Sequence, residues 1–174
     1  MVNQRHKGFS LVELMVTIAV LAVLAAIAAP SFLDLLDRRK LSGAGEALFA
    51  NLIFAKTEAI KRNTPVRVTF VGTGTTWCYG LAVNAACDCS DNVPACTIDG
   101  VTKIVDQDDY SSVSVAAGSS FANSFTSFSP LRGAANNGTL TFEISTGAEF
   151  SVSLSSFGRI RLCSDTGAFG YSGC

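Results

Sequence analysis

Histidine is almost absent from the sequence: the only one, His6, lies within the first eight residues. The rest of the chain therefore has no Ser-His-Asp or Cys-His arrangement, because both need a histidine as the base. A glycine-rich phosphate loop, a His-Glu-x-x-His zinc motif and an EF-hand calcium motif are also absent from the sequence. We therefore expect a protein that is not an enzyme and that has no catalytic residues, bound metal or cofactor.

Charged residues are scarce near the N-terminus, where a long apolar run follows a short polar segment. Residues 1–8 include Arg5 and Lys7, whereas residues 9–29 contain a single charged side chain, Glu13. The apolar run has about the length that a bilayer requires, and basic residues before a span favour the cytoplasmic side. A secretory signal has a shorter apolar region and an Ala-x-Ala-like site. We predict one membrane span, with the N-terminus cytoplasmic and the remainder exported.

Glu13 needs a partner in this run, because an isolated carboxylate in hydrocarbon is unfavourable by several kcal/mol. Cleavage after Gly8 would give Phe9 a new amine, which would neutralise Glu13 of a neighbouring copy. Residues 8–14 read GFSLVEL, and this segment resembles the prepilin peptidase site of type IV pilins and type II secretion pseudopilins. The alternative is an ordinary signal anchor that carries an isolated glutamate.

The resemblance implies how the N-terminus is processed and where the protein resides. It implies cleavage after Gly8 by a prepilin peptidase, methylation of Phe9 and filament assembly through Glu13. Pro30, at the end of the apolar run, also matches the family pattern. The expected location is the bacterial inner membrane, with a periplasmic C-terminal domain that becomes extracellular in a pilus, and the expected partners are other pilins or pseudopilins.

The sequence beyond the apolar run divides into a helical and a β-rich part. Apolar residues recur at steps of mostly three and four from Leu35 to Ala59, and Pro65 ends this pattern. The predicted segments are a cleaved leader at 1–8, a transmembrane and filament-core helix at 9–30, an amphipathic continuation at 31–64 and a periplasmic β domain at 65–174. Gly43 and Gly45 are expected to loosen the continuation.

The β domain is predicted from alternation of apolar and polar residues. The alternation appears at residues 66–70, 140–144 and 150–154, with turn sequences such as Asn137-Gly138 and Thr146-Gly147 between the segments. The last strands form an antiparallel meander, and the buried face of the sheet packs on the exported half of the helix. The expected fold class is α+β, and the resemblance implies the type IV pilin fold.

Six cysteines lie beyond the apolar run, and an even number in an exported chain indicates disulfides. Cys163 and Cys174 are expected to bridge and hold a glycine-rich tail. The other four cysteines lie close together in the sequence, at Cys78, Cys87, Cys89 and Cys96. We expect them to form two bridges, whose pairing the sequence does not assign. A four-thiolate zinc site is the alternative for this group.

The segment Gly158-Arg159-Ile160-Arg161 precedes Cys163. In a strand, the two arginines lie on one face about 6.6 Å apart, and Ile160 and Leu162 point to the core. This spacing suits neighbouring phosphates, which guanidinium groups bind bidentately. The segment resembles the Gly-Arg-x-Arg motif of FimT-type minor pilins, which bind DNA in natural transformation. The resemblance implies that Arg159 and Arg161 are DNA ligands; the alternative is that they cover an edge strand.

The whole chain resembles the GspH/FimT family of type IV minor pilins and type II secretion pseudopilins. The arginine pair favours a FimT-like minor pilin that binds the DNA backbone without sequence preference. Residues 66–174 contain five basic and nine acidic residues, so this binding is expected to be local, weak and sensitive to salt. The alternative is a GspH-like pseudopilin, a structural subunit in type II protein secretion.

Overall fold

A computed structural model describes residues 9–121, 124–164 and 170–173 of the chain. The first element is a helix, α1, which runs from Leu11 to Arg62. The chain consists of two compact units, residues 1–36 and residues 37–174. α1 contributes its N-terminal part to the first unit and its C-terminal part to the second.

The first unit is the apolar part of α1. Its large apolar side chains are exposed on all sides of the helix, from Leu11 to Ile27, and Glu13 lies in the first turn. Within the described ranges, α1 is the one helix that is long and apolar enough to cross a membrane. A helix that is apolar all round is stable in lipid or among other apolar helices.

The second unit begins with an amphipathic stretch of α1. The predicted stripe is wrong at its start, because Leu35 and Leu36 are 47% and 39% exposed. It is confirmed from Leu41 onward, where its members are at most 1% exposed: Leu41, Ala44, Leu48, Leu52, Ala55 and Ala59. The helix ends where Asn63 adopts a positive φ of 52° and the Thr64 amide donates to the Ala59 carbonyl at 3.2 Å. Asparagine tolerates this left-handed conformation at a helix C-terminus, and Pro65 then prevents continuation.

The strands of the second unit are short, and their pairings are divided equally between neighbours in sequence and distant segments. In chain order they are β1 (Val66–Thr73), β2 (Thr76–Val83), β3 (Thr97–Ile98), β4 (Val101–Thr102), β5 (Ile104–Asp106), β6 (Ser114–Val115), β7 (Ser120–Phe121), β8 (Phe125–Phe128), β9 (Gly138–Glu143), β10 (Glu149–Leu154) and β11 (Ile160–Cys163). One sheet has the order β5-β2-β1-β8; another has the order β11-β10-β9-β6, with β7 also paired to β9; β3 and β4 form a separate hairpin.

The predicted antiparallel meander of the last strands is confirmed. Phe150 pairs with Phe142, and Val152 pairs with Leu140 on one side and Leu162 on the other. These side chains belong to the same core as the buried stripe of α1. The fold is thus a long N-terminal helix with antiparallel sheets packed on its C-terminal part, as the sequence predicts.

Gly45 has a packing role rather than the loosening role expected from the sequence. A Cβ at this position would overlap the ring of Phe150, which is fully buried. Gly43 similarly faces the ring of Tyr110. The missing side chains therefore allow aromatic rings of the β domain to approach the helix backbone, while α1 continues without interruption.

The cysteine-rich loop is closed by the two bridges that the sequence predicts. Cys78 pairs with Cys89 and Cys87 with Cys96, with Cα atoms 5.9 Å and 5.0 Å apart. The zinc alternative is wrong, because these sulfurs are bonded to one another. Bridges that close loops of this size each stabilise the fold by roughly 2 to 3 kcal/mol. Cys174 lies outside the described residues, so the bridge from Cys163 to Cys174 stays a prediction.

An ion-pair cluster fixes the end of α1 to the turn between β3 and β4. The Arg62 guanidinium binds both carboxylate oxygens of Asp99 and donates from Nε to Glu58 at 2.6 Å, while Lys61 lies 3.2 Å from Glu58. The hydrogen bonds from Arg62 hold the pKa of Asp99 and of Glu58 below the usual values. The cluster therefore favours ionised carboxylates at neutral pH.

Candidate nucleic-acid interface

The arginine motif lies at the hairpin that joins β10 to β11. The Ser155 amide donates to the Arg159 carbonyl at 2.9 Å, and the Gly158 amide donates to the Ser155 carbonyl at 2.8 Å. The Ser155 hydroxyl oxygen accepts from the Arg159 amide at 3.1 Å. These bonds close a five-residue loop, residues 155–159, and fix the backbone from which Arg159 projects.

Gly158 is required by the backbone and by its surroundings. Its φ is +70°, and a Cβ there would overlap the carbonyl oxygen of Gly133. The Lys56 ammonium donates to the Gly158 carbonyl at 2.9 Å. A glycine is the residue that permits both the positive φ and the close approach, so the first position of the motif holds the arginine loop against its neighbours.

We predict that Gly158→Ala destabilises the fold more than a glycine substitution that only strains the backbone. Gly147 is the matched control, because its φ is +81° and a Cβ there meets nothing within 4 Å. Gly147→Ala should lower the free energy of unfolding by about 1 to 2 kcal/mol. Gly158→Ala should lower it by roughly 1 to 3 kcal/mol more, because the Gly133 carbonyl must move. Denaturant unfolding measures both, and equal losses would contradict the packing role.

The two arginines share one face of the sheet, although only one lies in a strand. Arg161 belongs to β11 and pairs with Ser153. Arg159 precedes β11 and lies in the loop, which differs from the prediction that a strand holds both. Both side chains are exposed, and both line a groove of about 330 Å³ together with Asn137, Gly138, Thr139, Ser153, Leu154 and Ser155. Ile160 and Leu162 pack against the core, as predicted.

Hydroxyl groups dominate the sheet surface beside the arginines. Thr139 and Ser153 are register partners, as are Thr141 and Ser151, and the last two hydroxyl oxygens are 2.8 Å apart. A second depression of about 310 Å³ continues the groove past Arg161. Guanidinium and hydroxyl groups are the usual donors to nucleic-acid phosphates. The surface therefore has the chemistry of a phosphate-binding face.

Glu149 places a negative charge at one end of this face. It lines the second depression and pairs in register with Glu143, whereas the groove shared by both arginines has no acidic lining residue. The carboxylates of Glu149 and Glu143 repel a negatively charged phosphate chain. The end of the sheet near Glu149 is therefore unfavourable for phosphate binding. The end that carries Arg159 and Arg161 is therefore electrostatically more favourable for an anion than the end near Glu149.

Charge is distributed unevenly over the second unit. Residues 129–134 and 155–161 contain three arginines and no acidic residue, although residues 66–174 as a whole have nine acidic against five basic residues. In the part of the chain that the structure describes, no ion pair or side-chain hydrogen bond is made by Arg132, Arg159 or Arg161.

Sequence reasoning missed the apolar side chains at this site. Leu131 and Phe157 are 86% and 85% exposed, more than any other large apolar side chain described. Phe157 lies in the arginine loop, and Leu131 lies in the loop that contains Gly133. The sequence signal for Phe157 is its position directly before Gly158, since a glycine favours a turn and a ring at the tip of a turn has no core to enter.

Three further residues with predicted roles, Gly8, Phe9 and Glu13, lie near the N-terminus of the chain. Glu13 and Phe9 belong to the first unit and are exposed there, while Gly8 lies outside the described residues. Three acidic residues that are close in sequence, Asp106, Asp108 and Asp109, lie in β5 and the turn that follows. Among residues 9–121, 124–164 and 170–173, no group of three or more His, Cys, Asp or Glu side chains is arranged to hold a metal ion.

Two family profiles match this chain. The family described as type II transport protein GspH matches residues 44–167, and the prokaryotic N-terminal methylation motif matches residues 3–29. Among curated proteins, the type II secretion system protein H of Xanthomonas campestris pv. campestris is 34% identical over 66 residues. That alignment spans 38% of this chain and 39% of the relative, well under half of either length.

Two solved structures share the fold. The type IV minor pilin FimU of Pseudomonas aeruginosa aligns with a TM-score of 0.52 and 20% identity, over 72% of this chain and 89% of FimU. The minor pseudopilin EpsH of the Vibrio cholerae type 2 secretion system aligns with a TM-score of 0.53 and 13% identity, over 72% and 97%. At these identities the likeness shows the fold alone. The GspH profile matches well over half of the chain, which shows that the chain belongs to the family described as type II transport protein GspH.

Proposed function

We propose that this chain is a FimT-like minor pilin of a type IV pilus that binds DNA for uptake in natural transformation. The observation that carries the proposal is the groove at the end of β10 and β11. Arg159 and Arg161 both line it, both are exposed, and hydroxyl-bearing residues surround them. Gly158 supports the proposal because it holds the arginine loop in place.

The expected interaction is with phosphates rather than bases. Each guanidinium donates two parallel hydrogen bonds to phosphate oxygens, and Ser or Thr hydroxyls add weaker ones. Contacts of this kind position a nucleic acid and carry no sequence code. Because residues 66–174 are acidic overall, distant parts of the domain repel DNA. Binding is therefore weak and confined to the groove.

The salt dependence of binding tests this proposal. We expect the full chain, in uncharged detergent, to bind short duplex DNA with a log-log salt slope of about −1.8, because two phosphates are neutralised. Arg159→Ala and Arg161→Ala should each reduce the slope by about one. Fluorescence anisotropy at several salt concentrations measures all three slopes.

A charge-matched control is available at Arg39. It is an exposed residue of α1 and lies 17 positions before Lys56, which is about 25 Å along the helix axis. Arg39→Ala removes the same charge and should leave the slope unchanged. The proposal fails if the wild type does not bind at low salt, or if all three variants reduce the slope equally.

Assembly and location complete the proposal. We propose that prepilin peptidase cleaves after Gly8, that Phe9 is methylated, and that the Phe9 amine of one subunit pairs with Glu13 of its neighbour. The chain is a single-pass inner-membrane protein with a cytoplasmic N-terminus and a periplasmic second unit, which becomes extracellular in the pilus. Its role is structural and ligand-binding, with no enzymatic activity.

A GspH-like pseudopilin of a type II secretion system is the second candidate. It is favoured by the GspH profile and by the likeness to the type II secretion protein H of Xanthomonas campestris. In that case Arg159 and Arg161 serve to protect β11, which is an edge strand of its sheet, from pairing with other chains. Genomic neighbourhood discriminates between the two, because pilus and secretion subunits are encoded beside their own machinery.

A further inference from the structure

The side chain of Phe157 is almost fully exposed to solvent and packs against little of the protein. Its ring lies at the tip of the loop between β10 and β11 and is 85% exposed. Single exposed apolar residues are common, but Leu131, the only described large apolar side chain that is more exposed, lies in the adjoining loop. Two such side chains together indicate a contact surface.

The two loops are held together by direct contacts. The Ala135 amide donates to the Ser156 carbonyl at 3.1 Å, and the Gly133 carbonyl lies against Gly158. Lys56 packs against Gly133 and binds the Gly158 carbonyl. The position of Phe157 is therefore fixed relative to Arg159, two residues further along the chain.

The charges of these two loops indicate the class of ligand that would bind them. Arg132, Arg159 and Arg161 are the only charged residues in segments 129–134 and 155–161. Two segments that carry three cations, no anion and an exposed ring are complementary to a polyanion that also presents flat apolar faces. A single-stranded nucleic acid has both features, because its phosphates are charged and its bases are unstacked.

We propose that Phe157 is a base-stacking residue and that the two loops form a binding site for single-stranded DNA. The inference rests on the proposed function, because it adds a base contact to the same arginine groove. One base stacks on the Phe157 ring while Arg159 and Arg161 bind the phosphates that follow. In duplex DNA each base is stacked between its neighbours, so the Phe157 ring has no free base face to stack on. Phe157 therefore contributes little to duplex affinity.

The test compares single-stranded and duplex oligonucleotides of the same sequence, bound by the full chain in uncharged detergent. Phe157→Ala should weaken single-strand binding roughly 5- to 100-fold, the range expected for loss of one stacked base. Phe157→Leu, which keeps an apolar side chain without a ring, should weaken it nearly as much. Phe157→Trp should retain it, and none of the three should change duplex affinity by more than about twofold.

An abasic strand with the same number of phosphates separates stacking from other effects. Wild type should bind it as weakly as Phe157→Ala binds the normal strand, and Phe157→Ala should cause no further loss. A variant that merely disturbed the loop would weaken binding of all three ligands together, and that result would overturn the inference.

The remaining outcomes distinguish this inference from the proposed function. If Phe157 variants bind single strands normally while arginine variants lose duplex binding, the stacking role is wrong and the phosphate site stands. If wild type binds neither form of DNA, both fail. If, in addition, Phe157→Ala reduces crosslinking to other filament subunits, the two loops are a subunit contact instead.

Discussion

Replacing Arg159 and Arg161 together with alanine is expected to abolish transformation by cells that carry the variant as their only copy. Hydrogen bonds to charged groups contribute about 1.5 to 3 kcal/mol each, so loss of both phosphate contacts should weaken DNA binding roughly 100-fold or more. The fold should be unaffected, because both side chains are exposed and make no contact with the core. Transformation frequency, with surface pili counted in parallel, measures the effect.

Arg39→Glu is the control for this double variant, since it changes the net charge by the same amount at a distant position. It should leave transformation unchanged. Normal transformation by the Arg159 and Arg161 double variant would remove the DNA-binding role and leave the pseudopilin alternative as the better account. A loss of pili in the double variant would instead assign the arginines to assembly.

Replacing Glu13 with alanine is expected to leave the chain in the membrane and out of the filament. The substitution removes the carboxylate from an apolar helix, so insertion becomes easier. The Phe9 amine of the neighbouring subunit then lacks an opposite charge, and breaking a buried pair in this way is strongly unfavourable. We expect the amount in sheared filaments to fall at least about tenfold relative to the amount in membranes.

Glu13→Asp is the control, because it keeps the charge in the same turn of the helix. It should restore part of the incorporation that alanine loses. Immunoblots of membrane and sheared fractions measure both variants. Equal incorporation of the alanine variant and the wild type would refute the electrostatic account of assembly.

The elements that the sequence predicts well are those specified by local periodicity. The buried stripe of α1 and the β9-β10-β11 meander repeat every three to four or every two residues, and neighbouring strands are joined by short turns. The sheet with the order β5-β2-β1-β8 is not specified by local periodicity alone. Its order depends on pairing of β1 with β8, where Val66 lies opposite Phe128, and such distant partners leave no local pattern.

The site was predicted only in part, for the same reason. The motif identified Arg159 and Arg161, and alternation correctly placed Arg161 away from the core. The groove itself places residues 137–139 beside Arg159 and Arg161, and neither segment specifies this arrangement alone. The two loop disulfides were likewise predicted in number, whereas their pairing depends on how residues 84–96 fold over β2.

The most direct test of the DNA-binding account is one titration of duplex DNA at low salt with wild type, the Arg159 and Arg161 double alanine variant, and Arg39→Glu. The account predicts saturable binding by wild type and Arg39→Glu and none by the double variant over the same concentrations. Equal affinity of all three proteins, or no binding by the wild type, would contradict it.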